Sequence, residues 1–316
     1  MSAVRAIGLS ALAVVALGWL TGCSTKSDAG ERTPSGRPTV LRYVHAPSGI
    51  EEPMEQTLRL DRLKAYLADR LKVDVELYKT TGGYGATIEA MRAKKIDVAT
   101  LGPFGYLIAS EKAGAEVVVV RGTKDTAEGA YSGAIAVRKD SPIKTIDELI
   151  ARSKELTFSY VDPDSTSGFL VERAFFQSRG LNPDTAFKKT LFSMNHVASA
   201  MTLIAGKVDA AAMMETLPSR VLVKRHLIEP GDIRILWVSP RLPSSPIAVR
   251  RDLPAAFKEE IRQALIDIPT RAPDLWKMWP KPSGDPDSVL MPGNDAMFDG
   301  LRKMARGIEN LSLLER

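Results

Sequence analysis

The feature that most constrains this chain is an alternation of short β-prone runs with helical runs, carried through twice. Residues 40–44, 73–78, 96–101 and 116–120 are apolar and rich in Val, Ile and Leu, as strands require. Between the first two, Leu60, Leu63, Leu67 and Leu71 recur every three or four residues and define one face of a helix. Helical runs at 86–94 and 105–113 separate the others. Such a βαβα order predicts an α/β unit around a mostly parallel sheet.

A second unit follows. Residues 131–137 read as a crossing strand and 147–152 as a short helix. Strands at 156–161, 187–194, 208–213 and 233–238 then alternate with helices at 169–178, 197–205 and 217–226. After Pro246 the run 247–249 returns as a strand. Helical runs at 255–268 and 295–308 enclose a looser, proline-rich segment, 269–292. The expectation is two α/β lobes joined by two crossing strands with a ligand cleft between them. Its divisions are 39–132 for the first part of lobe 1, 133–245 for an inserted lobe 2, and 246–316 for the rest of lobe 1 with C-terminal helices. Ligands in open α/β sheets bind where strand C-termini meet helix N-termini, and such a cleft is lined by both.

The N-terminus speaks to location. Residues 1–22 carry Arg5, an apolar stretch from 6 to 20, and the ending Leu20-Thr21-Gly22 before Cys23. That stretch is too short and too poorly flanked for a lasting transmembrane helix. It predicts a bacterial lipoprotein signal, cleaved before Cys23, whose thiol is acylated and holds the protein on a membrane face. An ordinary secretory signal is the alternative. Cys23 is the chain's single cysteine, so no disulfide forms within it. Residues 23–38 are polar and rich in Gly, Pro and Ser, which predicts a flexible tether. The net charge of +5 comes from Lys and Arg spread along the chain, without a basic run interleaved with aromatics. Nucleic acid is therefore not an expected partner.

One stretch carries chemistry. Asp162-Pro163-Asp164-Ser165-Thr166-Ser167-Gly168 joins the predicted strand 156–161 to the predicted helix 169–178. Free backbone amides and the positive helix end favour an anion there. Hydroxyls beside those amides suit a tetrahedral oxyanion such as phosphate or phosphonate. Taken alone, one hydroxyl at that point is an ordinary N-cap. No metal constellation accompanies it, since the three histidines and Cys23 form no cluster in sequence.

These residues, with Leu41-Arg42-Tyr43, Tyr84 ahead of Met91-Arg92, Ile96-Asp97-Val98-Ala99, Val137-Arg138-Lys139-Asp140-Ser141-Pro142-Ile143, Val208-Asp209-Ala210-Ala211 and Ser239-Pro240 leading to Pro246, resemble the phosphonate-binding proteins of ABC importers. Those proteins belong to the type II periplasmic binding protein class, and the resemblance runs over most of residues 40–270. It implies a site in which Ser165, Thr166 and Ser167 hold phosphoryl oxygens and His196 donates to another. Tyr84 and Tyr131 close over the ligand with their hydroxyls. His45 and His226 fall on no family position and are expected to be structural or surface residues. Members of the family that accept aminoalkyl phosphonates place carboxylates around the ammonium. The nearest positions here are Thr216, one residue past Glu215, and Ser245. A buried ammonium without carboxylates is costly. The resemblance with these departures therefore points to phosphite, phosphate, methylphosphonate or hypophosphite rather than 2-aminoethylphosphonate.

The expected function is capture of a small phosphorus oxyanion and its delivery to an ABC permease by a monomeric, lipid-anchored, extracytoplasmic protein without a cofactor. The competing readings are a binding protein or sensor for another small anion such as sulfonate, and an enzyme on the same fold. The enzyme reading is disfavoured because no Gly-x-Ser-x-Gly motif or arranged Ser-His-Asp set is present.

Overall fold

In a computed structural model of the protein, the described residues are 32–46, 50–80, 83–123, 131–279, 288–308 and 311. The expected signal 1–22, Cys23 and the tether up to residue 31 lie outside them. Among the described residues no helix is long and apolar enough to cross a membrane.

The first series runs β1 (Val40–His45), α1 (Pro53–Leu71), β2 (Asp74–Leu77), α2 (Gly83–Arg92), β3 (Val98–Thr100), α3 (Pro103–Ala113) and β4 (Ala115–Thr123). Helix α1 starts with Pro53 in its first turn, where no amide partner is needed, and stops at Lys72 in a left-handed conformation (φ 54°). Its Leu63, Leu67 and Leu71 are buried, as their spacing predicts, whereas Leu60 is only partly covered.

The second series is β5 (Gly133–Arg138), α4 (Ile146–Ala151), β6 (Thr157–Tyr160), α5 (Val171–Ser178), β7 (Lys189–Phe192), α6 (His196–Ile204), β8 (Ala210–Met214) and β9 (Ile233–Val238). The chain then returns through β10 (Ile247–Arg250), α7 (Ala255–Ile266), α8 (Ile268–Arg271), α9 (Pro273–Lys277), β11 (Ser288–Pro292) and α10 (Asp299–Arg306).

Two sheets result. One has the order β11-β4-β10-β3-β1-β2, the other β7-β6-β8-β5-β9. Both are mixed rather than mostly parallel. The β1–β2, β1–β3, β6–β7 and β6–β8 pairs are parallel, while β10 runs antiparallel to β3 and β4, and β5 antiparallel to β8 and β9. The antiparallel members are mainly the strands on which the chain leaves one sheet for the other or comes back.

Other expectations need correcting. The crossing strand 131–137 is a central strand of the second sheet from Gly133 onward, and only Tyr131 keeps a crossing role, bridging to Leu242 on the returning segment. The helix expected over 217–226 is a single wide turn, Pro218–Leu222, followed by further turns. The loose segment 269–292 holds α8, α9 and strand β11, which pairs with β4. Residues 32–38, expected as the end of the tether, form a turn against α7. Arg37 lies 4.5 Å over the Phe257 ring and pairs with Glu260 at 3.0 Å. The C-terminal helix touches both lobes: Phe298 packs on Tyr106 of α3 (ring centroids 4.7 Å), and Gln177 of α5 donates to the Gly307 carbonyl at 2.7 Å.

Candidate ligand-binding site

The stretch after β6 shows how sequence makes a donor nest. Asp162 turns the chain, accepting the Asp164 amide on its carboxylate (2.9 Å) and the Ser165 amide on its carbonyl (2.9 Å). The helix then opens with a wide π-type turn, Thr166–Leu170, before α5. Its first bond runs from the Leu170 amide to the Ser165 carbonyl at 3.0 Å. The amides of Thr166, Ser167 and Gly168 precede that bond and have no acceptor within the helix. Wide turns of this kind recur at functional sites. Gly168 is required there, because a Cβ would lie 2.3 Å from Val161 Cγ2. Ser165, Thr166 and Ser167 are all buried.

Lobe 1 meets this nest directly. The Phe104 amide, in the first turn of α3, donates to Thr166 Oγ1 at 2.8 Å, and the Tyr84 amide of α2 donates to Asp162 Oδ2 at 3.3 Å. The close approach needs Gly83 (φ 82°), since a Cβ there would lie 2.4 Å from Asp162 Oδ2. At the rim, Arg225 of lobe 2 donates to the Ile50 carbonyl (2.7 Å) and pairs with Glu52 (2.6 Å). The lobes are closed on one another.

Between them is a cavity of about 140 Å³. Tyr84, Tyr131, Ser165, Thr166, Ser167, His196 and Ser245 all line it. Thr216 does not, nor does Glu215; Met214 of the same strand takes that part of the wall. Thus the two specificity positions separate: Ser245 reaches the cavity and Thr216 lies off it.

The tyrosines are held neutral. Burial pushes the Tyr131 hydroxyl up to about 12, offset in part by its hydrogen bonds with Thr166 and Ser167. Tyr84 is raised further, first by burial and then by the Asp162 charge. His196 is also neutral, burial lowering it to about 4. Its Nδ1 accepts the Met214 amide at 3.1 Å, so Nδ1 carries no proton and Nε2–H is the nitrogen available to the cavity. Hydroxyls, free amides and one imidazole N–H therefore converge, and donors of this kind gain most from a charged acceptor. Two carboxylates sit behind the nest. Asp164 is raised to about 6 by burial and by Asp162, with Lys112 opposing, and Asp162 is raised by burial against the two amides it accepts.

Sequence reasoning missed one wall. His45, expected to be structural or surface, lines the cavity together with Glu51, Arg121 and Trp279. Glu51 takes Arg59 in a two-pronged pair, both contacts 2.7 Å, and lies 3.4 Å from His45 Nε2. Burial would raise Glu51, but the Arg59 hydrogen bonds and charge more than offset it and hold it low. Burial lowers His45 to about 4 and, with the Arg59 charge, Arg121 to about 10. The one local signal was Arg59 itself, a charged residue in the leucine-spaced helix that proves 1% exposed. His226 stays off the cavity, and no metal-binding group of His, Cys, Asp and Glu exists among the described residues.

Comparisons with known proteins bear on the family and the fold. Residues 48–280 match the family model "ABC transporter, phosphonate, periplasmic substrate-binding protein". The Escherichia coli (strain K12) phosphonates-binding periplasmic protein is 32% identical over 181 residues, 56% of this chain and 52% of that protein, so the aligned part spans about half its length. The phosphate-import protein PhnD of Mycolicibacterium smegmatis (strain ATCC 700084 / mc(2)155) is 25% identical over 76% of this chain and 74% of its own. Among solved structures, PhnD1 of Prochlorococcus marinus (MIT 9301) in complex with methylphosphonate superposes with a TM-score of 0.69 at 20% identity, covering 85% of this chain and 97% of that one. The two sheets and the cleft between them are thus the two-lobed type II periplasmic binding protein fold. With its family match covering most of the folded chain, the protein belongs to the periplasmic substrate-binding proteins of phosphonate ABC transporters.

Proposed function

We propose that this protein captures a small phosphorus oxyanion, namely phosphite, phosphate, methylphosphonate or a related phosphonate, and delivers it to an ABC permease. The observation that carries this reading is the convergence of Ser165, Thr166 and Ser167, the first amides of their turn, His196 Nε2–H, Tyr84 and Tyr131 on one closed cavity. The relatives named for phosphonate and phosphate, and the neighbour holding methylphosphonate, support the same ligand class. Ser165, Thr166, Ser167 and His196 come from lobe 2, Tyr84 from lobe 1, and Tyr131 from the first crossing segment. A ligand touching all three favours the closed state by its extra contacts there. Hinge motion about the crossing segments at Tyr131 and Leu242 would open it. In this reading residues 39–132 and 246–316 move as one lobe and 133–245 as the other. The protein works as a monomer outside the cytoplasm, tethered through an acylated Cys23 after removal of residues 1–22.

The test is isothermal titration of the purified soluble domain with phosphite, phosphate, methylphosphonate, sulfate and an alkanesulfonate. At least one phosphorus ligand should bind more tightly than either sulfur anion. Ser165→Ala combined with Thr166→Ala should abolish binding while the circular dichroism spectrum is retained. Unchanged affinity in that double variant would sink the site assignment.

A further inference from the structure

The cavity continues past the donor nest into lobe 1, and strand register shows how. Thr100 stands opposite both His45 and Ile247, and Ile247 opposite Val119. Arg121 follows two residues later in β4, opposite Leu290 of β11. Side chains two apart or directly paired share a sheet face, so His45, Thr100, Ile247, Val119, Arg121 and Leu290 form one row. Their neighbours Tyr43, Val98 and Val249 belong to the core packed against α1 and α7, which places the row on that face. All six line the cavity, with Trp279 beside them. The cavity therefore reaches over the end of the sheet to the side where α1 lies.

Charge at that end is unbalanced. Glu51 and Arg59 neutralise each other in their two-pronged pair, and His45 is uncharged. Arg121 remains, with no ion pair among the described residues, in a wall where Val119, Ile247, Leu290 and Trp279 stand beside His45, Thr100, Ser244 and the Glu51 carboxylate already taken by Arg59. A half-buried guanidinium against apolar side chains calls for an acceptor. Two more polar atoms nearby, His45 Nδ1 and Arg59 Nη1, are buried without a partner among the described residues. Among the described residues no free carboxylate is placed to receive an ammonium at this end, since Glu215 and the Thr216 position are off the cavity and Glu51 is occupied by Arg59.

We infer that this second end selects the organic substituent of the ligand, and that Arg121 receives an anionic group there, so that phosphonates bearing a carboxylate are preferred over alkyl and aminoalkyl phosphonates. The inference rests on the phosphorus reading of the donor nest and extends it. The phosphonate group lies on Ser165–Ser167, an apolar link passes Val119 and Ile247, and the carboxylate reaches the Arg121 fork. An ammonium at that end meets a like charge.

Titration of the wild-type protein with methylphosphonate, phosphonoacetate, 3-phosphonopropionate and 2-aminoethylphosphonate tests it. One of the two carboxylated ligands should bind at least about 10-fold more tightly than methylphosphonate, the scale of one hydrogen bond to a charged group. 2-Aminoethylphosphonate should bind more weakly than methylphosphonate. In Arg121→Met the ratio of carboxylated to methyl ligand should fall to near unity, and Arg121→Lys, keeping the charge, should restore part of it. Methylphosphonate binding at parity with both carboxylated ligands overturns the inference and leaves the phosphorus reading standing. An unchanged ratio in Arg121→Met does the same. Failure of every phosphorus ligand to bind overturns both.

Discussion

His196 offers a set of substitutions whose outcomes separate packing from binding. Nδ1 accepts the buried Met214 amide at 3.1 Å, and on the proposed reading Nε2–H serves the ligand, so its two nitrogens have different duties. His196→Leu keeps much of the volume and removes both. Stranding the Met214 amide costs about 1–3 kcal/mol, which for a domain of this size lowers the melting temperature by about 2–4 °C per kcal/mol. Losing a hydrogen bond to an anion costs about 1.5–3 kcal/mol, or about 10- to 150-fold in Kd. Asparagine can place its oxygen where Nδ1 stands, so His196→Asn should keep most of the stability and lose the affinity. Glutamine can place its amide where Nε2 stands, so His196→Gln should lose stability and keep part of the affinity. Differential scanning fluorimetry without ligand and calorimetry with it read the two effects independently. If Asn and Gln behave alike in both assays, the division of labour between the nitrogens is wrong. If His196→Asn binds as the wild type does, His196 is not a ligand donor at all. The lowered pKa adds a pH test with a definite sign. A folded value of about 4 against an unfolded 6.5 means that the stabilising contribution is complete above pH 6.5 and is lost as pH falls toward 4. His196→Asn should flatten that part of the curve.

Asp164 has the opposite sign. Its folded pKa is raised to about 6 by burial and by Asp162, so it destabilises the folded state above pH 6, and the penalty is relieved as pH falls toward 4. Asp164→Asn should therefore be more stable than the wild type at pH 8 and equal to it near pH 4 in thermal unfolding; a constant difference across that range would refute the assignment. For the anchor, the full-length protein with Cys23→Ala expressed in a bacterial host should leave the membrane fraction for the soluble one, and retention in the membrane would rule out acylation at that thiol.

The order of strands and helices was legible because strand and helix periodicities are local properties. The donor nest was legible for the same reason: Asp162 to Gly168 supplies its turn, its hydroxyls and its free amides within seven consecutive residues. Elements held by tertiary contact were not. Strand β11 is a strand because β4 offers it a partner, and the turn Pro218–Leu222 does not propagate into a helix although its composition allows one. The antiparallel strands that make both sheets mixed follow from the crossing of the chain between lobes, which no window of sequence contains.

The same distinction explains why one end of the cavity was read and the other was not. Tyr84, Tyr131 and His196 were placed by family resemblance, each close to a recognisable local landmark. His45, Thr100, Arg121 and Ile247 belong to four strands and become neighbours only through the order β4-β10-β3-β1. Arg59 joins them from α1 because Glu51, just before that helix, folds back onto it. Absence of acids at Thr216 and Ser245 therefore did not mean that this end lacked charge. Its charge comes from the opposite lobe and has the opposite sign, and on the proposed reading it disfavours an ammonium twice: among the described residues no free carboxylate receives it, and Arg121 repels it. On the proposed reading, ligand choice belongs mainly to lobe 1, while lobe 2 supplies the anion grip through Ser165–Ser167 and His196. Such a division lets the sheet row change without disturbing the nest, and the Arg121 variants address that row alone.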